Sequence, residues 1–127
     1  MRILISGCRA DDRSTLEFFL QNKPDLDVVD EAADIQVLLT QAKATQPDVI
    51  LLDWGLCDRP LEELISALHL LESQPGVILI NATRESGQAG LTAGADAFVV
   101  KGDPPKSLMI AIETIRLKRE ADRLYEK

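Results

Sequence analysis

Five short apolar runs, each followed by a stretch of helical period, constrain this chain more than any other feature. The runs are Ile3-Leu4-Ile5, Leu26-Asp27-Val28-Val29, Val49-Ile50-Leu51-Leu52, Val77-Ile78-Leu79-Ile80 and Phe98-Val99-Val100. Four are continuously apolar, the pattern of parallel strands buried on both faces. The second alternates and ends in charge, which suits an edge strand. Between the runs lie amphipathic stripes: Leu16, Phe19 and Leu20; Ile35, Leu38, Leu39 and Ala42; Leu61, Leu64, Ile65 and Leu68; Leu108, Ala111, Ile112 and Ile115. The segment around Gln88 to Ala93 is a weaker helix, because Gly87 and Gly90 lower its propensity.

Helix stops precede the later strands at Pro24-Asp25, Gln46-Pro47-Asp48 and Gln74-Pro75-Gly76, and Gly94 is suited to a left-handed cap before the last. With no repeat or linker, 127 residues read as one domain spanning 1–127. Its order is (βα)5, and right-handed crossovers make that an α/β doubly wound parallel sheet, a flavodoxin-like three-layer sandwich.

Composition narrows the function. Fourteen basic against twenty-one acidic side chains give a net charge of −7, a poor balance for gripping phosphate backbones. The opening apolar run is too short for a signal peptide, and no segment suits a membrane helix. Two cysteines, Cys8 and Cys57, are too few for a disulfide framework, so a reduced, cytoplasmic protein is expected.

In open parallel sheets, sites form beyond the carboxyl ends of the strands, where strand order reverses. The residues there are Ser6, Gly7 and Cys8 after strand one, Asp53 after strand three, Asn81 after strand four and Lys101 after strand five. A carboxylate and an ammonium thus converge on one rim. Asp53 can act as a nucleophile or a metal ligand, and Lys101 can neutralise charge developing on it. A plain rim ion pair is the alternative.

These residues resemble the receiver domain of two-component response regulators over nearly the whole chain. The resemblance rests on Pro47-Asp48-Val49-Ile50-Leu51-Leu52-Asp53, on Ala93-Gly94-Ala95-Asp96-Ala97-Phe98-Val99-Val100-Lys101, and on Pro24-Asp25-Leu26-Asp27-Val28-Val29 followed by Glu31-Ala32-Ala33. It implies that Asp53 is the phosphoacceptor, that Lys101 contacts phosphoryl oxygens, and that Phe98 is the switch aromatic. It implies Mg²⁺ bound by Asp53 and the Gly55 backbone carbonyl. The implied partners are a histidine kinase or phosphotransfer protein and an output domain or protein. At most the chain would catalyse phosphoryl transfer to its own Asp53; it is not otherwise read as an enzyme.

Several positions depart from the family pattern. The two adjacent acids expected after strand one fall on Gly7 and Cys8, neither of which offers the carboxylate oxygens that Mg²⁺ prefers. Asp11 or Asp12 could swing back as a substitute ligand; their plainer role is to cap the first helix and complement its dipole. Asn81 stands where Ser or Thr is expected. The loop Trp54-Gly55-Leu56-Cys57-Asp58-Arg59-Pro60 is short, with Cys57 at the customary proline position, and the stretch from Asn81 to Gly94 is shortened too. Two readings follow: a receiver with an impaired metal site, or a pseudo-receiver working through protein contacts.

Two rivals stand beside these. A small cysteine-dependent phosphatase would use Cys8 and Arg13-Ser14, but the loop between them is one residue short of a phosphate cradle. Redox or soft-metal sensing would bring Cys8 and Cys57 together on the rim. His69, among leucines and without a partner motif, reads as structural. From Pro104 to Lys127 the pattern stays helical beyond what the core needs, about 104–125. A second stripe at Leu117, Ala121 and Leu124 reads as an exposed helix end, a homodimer contact, or the start of a linker to an output domain.

Overall fold

Alternate residues of each apolar run point to opposite sides of one sheet, and each side is covered by helices. The computed structural model describes residues 1–125. Its elements run β1 (Arg2–Ser6), α1 (Ala10–Gln21), β2 (Asp27–Ala32), α2 (Ile35–Thr45), β3 (Val49–Asp53), a 3-10 turn (Trp54–Leu56), α3 (Leu61–His69), β4 (Gly76–Ala82), α4 (Arg84–Thr92), β5 (Ala97–Val100) and α5 (Pro105–Tyr125). The five strands pair in parallel in the order β2-β1-β3-β4-β5. This is the expected doubly wound sandwich, with its switch point between β1 and β3.

Leu4, Ile50, Leu52, Val77 and Leu79 face α2 and α3 through Leu38, Leu64, Ile65 and Leu68. Ile3, Ile5, Val49, Leu51, Ile78 and Ile80 face α1 and α5 through Leu20, Leu108, Ile112 and Ile115. These side chains are essentially dry, and each contributes roughly 1.5–3 kcal/mol by leaving water.

Three boundaries differ from the sequence reading. β2 begins one residue later than Leu26 and continues through Asp30 and Glu31 to Ala32, because an edge strand solvates charges on its outer side. α4 starts at Arg84, not near Gln88: Thr83 and Ser86 form a capping box, and Gly87 and Gly90 give up propensity to let the sheet approach. A Cβ on Gly87 would overlap the Phe98 ring, and one on Gly90 would overlap Leu79. At α1 neither Asp11 nor Asp12 is the cap. The flanking residue is Arg9, without a side-chain cap, and the two acids lie in the first turn, where they complement the dipole.

The rim opposite the strand carboxyl ends is tied by polar contacts. Asp48 accepts from the Arg2 backbone N–H at 2.8 Å and from Arg119 at 3.0 Å. His69 Nε2 lies 2.9 Å from Asp96 Oδ2, which also accepts from the Val77 N–H at 2.8 Å. His69 thus has a polar partner that its leucine surroundings did not suggest. Gly94 takes φ +115°, as expected of the residue that turns the chain out of α4. The last helix reaches Tyr125; the part of the expected helical pattern at 126–127 lies outside the described residues. Among the described residues no helix is long and apolar enough to cross a membrane.

Candidate functional site

Asp53 ends β3 at the switch point and is 4% exposed. Its position is fixed from three strands. Ser6, buried at the end of β1, donates its hydroxyl to the Leu51 carbonyl at 2.7 Å and accepts the Asp53 N–H at 2.9 Å. The carboxylate Oδ1 accepts from the Gly55 N–H at 2.8 Å, and Oδ2 from the Asn81 side-chain amide at 3.1 Å. Each oxygen therefore has one neutral donor. Asn81 occupies the left-handed region, φ 58°, which an asparagine tolerates better than most residues.

Gly7 follows Ser6 and is buried. A Cβ there would lie 3.5 Å from Asp53 Oδ2 and only 3.1 Å from Arg13 Cγ. The Arg13 side chain, from the first turns of α1, lies across this spot with 14% of its surface exposed. Its Nη1 donates to the Gly7 carbonyl at 2.5 Å and its Nε to Glu31 Oε1 at 3.0 Å. Glu31 in turn raises the carboxyl pKa of Glu17, first through a hydrogen bond, then with burial and mutual repulsion. A guanidinium locked on Glu31 thus stands beside the place where family members carry metal-binding acids.

Of the other expected site residues, Lys101 is on the same rim but exposed, its backbone N–H bound to the Ala82 carbonyl at 2.8 Å. Among the described residues it makes no ion pair with Asp53, so the plain ion-pair alternative is not formed. Lys101 and Asn81 line a cavity of about 440 Å³ between α1 and the β5–α5 loop, with Phe19, Val99 and Pro104. Phe98 is half-buried with its ring against Gly87 of α4. Asp11 and Asp12 are exposed on α1, and Asp12 lies 4.0 Å from Arg9. Among the described residues no group of three or more His, Cys, Asp or Glu side chains could hold a metal ion.

The cysteines are both free, Cys8 exposed and Cys57 half-buried. Burial pushes the Cys57 thiol up to about 11, with the negative charges of Asp53 and Asp58 adding to the effect. A thiol that keeps its proton is a poor nucleophile and a poor soft-metal ligand at neutral pH. That argues against the redox and soft-metal reading. Arg13, which a phosphate cradle on Cys8 would need, is instead bonded to the Gly7 carbonyl and to Glu31, which argues against the phosphatase reading.

The residue that sequence reading missed as part of this site is Arg13. Its partner Glu31 lies 18 positions away, beyond the point where β2 was expected to end. The visible signal was Glu31 itself, noted only as part of the motif after β2.

With this geometry in view, the matches to known proteins are consistent. The response regulator receiver domain family matches residues 9–113, so the chain belongs to that family. It is 28% identical to the oxygen regulatory protein NreC of Staphylococcus carnosus over 91% of this chain and 54% of that protein. It is 30% identical to a protein-glutamate methylesterase/protein-glutamine glutaminase of Halalkalibacterium halodurans over 100% of this chain and 36% of that one. This chain therefore spans about half the length, or less, of these curated relatives. The signal receiver domain of the putative response regulator NarL from Mycobacterium tuberculosis superposes with a TM-score of 0.78 at 24% identity, covering 91% of this chain and 95% of the other. The chain is thus a signal-transduction receiver domain of a two-component system, a class whose members typically bind Mg²⁺ and work with histidine kinases and output domains.

Proposed function

We propose that this receiver relays its signal through protein contacts and that Asp53 is a weakened or vestigial phosphoacceptor without a Mg²⁺ site. The observation that carries this reading is the pair of replacements at the metal position, Gly7 for an acid and Arg13 lying where that acid would project. The acids present do not fit the metal: among the described residues Asp53 is the one buried carboxylate at the rim, and Asp11 and Asp12 face solvent. Asp53 and a backbone carbonyl such as that of Gly55 amount to one carboxylate and one neutral ligand, and the acids that would add the remaining anchor are replaced by Gly7 and Cys8.

Phosphoryl transfer depends on positioning and on neutralising charge at the transferred group. Here positioning is supported: Gly55 and Asn81 orient the two oxygens of Asp53. Neutralisation falls to Lys101 and to Arg13, whose charge is already shared with Glu31. Loss of metal chemistry removes several kcal/mol of transition-state stabilisation. The chain's expected partners are a kinase or phosphotransfer protein on one side and an output domain or protein on the other.

The test is intact mass after incubation with a small phosphodonor and Mg²⁺, with Asp53→Asn as control. The expected result is little or no gain of one phosphoryl group, and the same slow rate with or without Mg²⁺. Rapid, Mg²⁺-dependent phosphorylation that disappears in Asp53→Asn would overturn the reading.

A further inference from the structure

α1 covers its side of the sheet incompletely. Of its 12 residues only Leu20 is buried; Leu16 and Phe19 are half-buried, and Phe18 is 72% exposed. The gap is the cavity of about 440 Å³ between α1 and the β5–α5 loop. Ile80 and Val99 line it from the sheet, Leu16 and Phe19 from α1, and Pro104 and Leu108 from the entry to α5 and its first turn. A cleft of this volume with apolar walls on three sides falls in the range of small-molecule sites, roughly 300–1,000 Å³.

The charged groups lining the cavity are Asp12, Lys101 and Asp103, and they are not equally committed. Asp103 is turned to the backbone, its Oδ2 accepting the Val100 N–H at 3.2 Å, and Asp12 lies 4.0 Å from Arg9. Among the described residues Lys101 forms no ion pair. An uncommitted ammonium at the edge of apolar walls is complementary to an amphipathic anion, with the apolar body in the cleft and the carboxylate on the ammonium. A partner helix would need an apolar stripe continued along α1. The exposed positions there are Ala10, Asp11, Asp12, Ser14 and Thr15, mostly polar, so the apolar surface ends at the cleft and a compact ligand fits it better.

We propose that this cavity binds a small amphipathic carboxylate, an aromatic acid of one or two rings, with Lys101 as its counter-ion. Asn81 lines the same cavity and donates to Asp53 Oδ2 at 3.1 Å, so the occupant lies one side chain away from Asp53. Occupancy is then an input to the receiver's contacts that requires neither phosphoryl transfer nor Mg²⁺. Such binding goes beyond the proposed function and does not depend on how fast Asp53 is phosphorylated.

The experiment is a titration of the isotope-labelled whole chain with 2-naphthoate, followed by amide chemical shifts, without phosphodonor or Mg²⁺. Saturable shifts are expected at Leu16, Phe19, Val99 and Lys101, with a Kd of roughly 1 mM or below. The neutral 2-naphthamide and the cationic 2-naphthylmethylamine, of nearly the same shape, should each bind at least about tenfold more weakly. Lys101→Gln, an exposed change that leaves the fold intact, should bring the carboxylate down to the level of the amide and leave the amide unmoved. No saturable shift up to about 10 mM, shifts confined to other parts of the surface, amide or amine binding as tightly as the carboxylate, or indifference to Lys101→Gln would each overturn the proposal.

Discussion

A carboxylate at position 7 would meet Arg13 before it met a metal. Its Cβ would be 3.1 Å from Arg13 Cγ and 3.5 Å from Asp53 Oδ2, so Gly7→Asp brings both a steric conflict and a second negative charge beside a buried one. The variant is expected to lose about 1–3 kcal/mol in denaturant unfolding. In Gly7→Asp with Arg13→Ala the steric part is relieved and the charge repulsion remains. Mg²⁺ should then stabilise that double variant and leave the parent chain unmoved, since a ligand stabilises only the state that binds it. Equal midpoints with and without Mg²⁺ in the double variant would show that the position does not govern the metal. Cys57 makes a separate, pH-dependent statement. Its folded pKa, about 11, is above that of an unfolded thiol, about 8.5. The folded state therefore holds more protons between these values. The stability due to this group is full below the unfolded pKa and is lost as pH rises through the folded one. Thermal unfolding should show the parent chain falling further than Cys57→Ser from about pH 8.5 to about pH 11.

At the scale of elements, α4 shows how packing overrides propensity. Gly→Ala in an exposed helix gains about 1 kcal/mol. At Gly90 the added methyl overlaps Leu79 of β4, at the floor of the helix–sheet contact, and overpacking costs about 1–3 kcal/mol. Gly90→Ala is therefore expected to be net destabilising in urea unfolding, whereas Gln88→Ala, on the exposed side, should be neutral or better. Stability equal to or above the parent for Gly90→Ala would contradict the close approach. The same element explains what sequence reading could and could not see. Two glycines in nine residues read as a weak helix, because the compensating contact is with strands far away in sequence. The strands themselves were legible from their unbroken apolar runs, and so was the place of Asp53, Asn81 and Lys101 on one rim, since it follows from where those runs end. The end of β2 was not. Asp30 and Glu31 look like the close of a strand until the edge position is known, and with Glu31 misplaced the anchor of Arg13 could not be found.

For the molecule as a whole, the two rims of the sheet have separate tasks. The rim opposite the site ties strands to helices through Asp48, Arg119, Asp96 and His69, while the carboxyl rim holds one buried acid between neutral donors. The family fold is thus kept by parts that do not depend on the chemistry at Asp53, which allows a receiver to lose its metal anchors and remain a receiver. The most direct measurement of this central claim is a Mg²⁺ titration of the parent chain followed through Trp54, the sole tryptophan, adjacent to Asp53 and 37% exposed. No saturable change in its fluorescence up to millimolar Mg²⁺ is predicted, for the parent and for Asp53→Asn alike. A saturable quench in the parent that vanishes in Asp53→Asn would contradict the account, because it would mean that Asp53 still belongs to a working metal site.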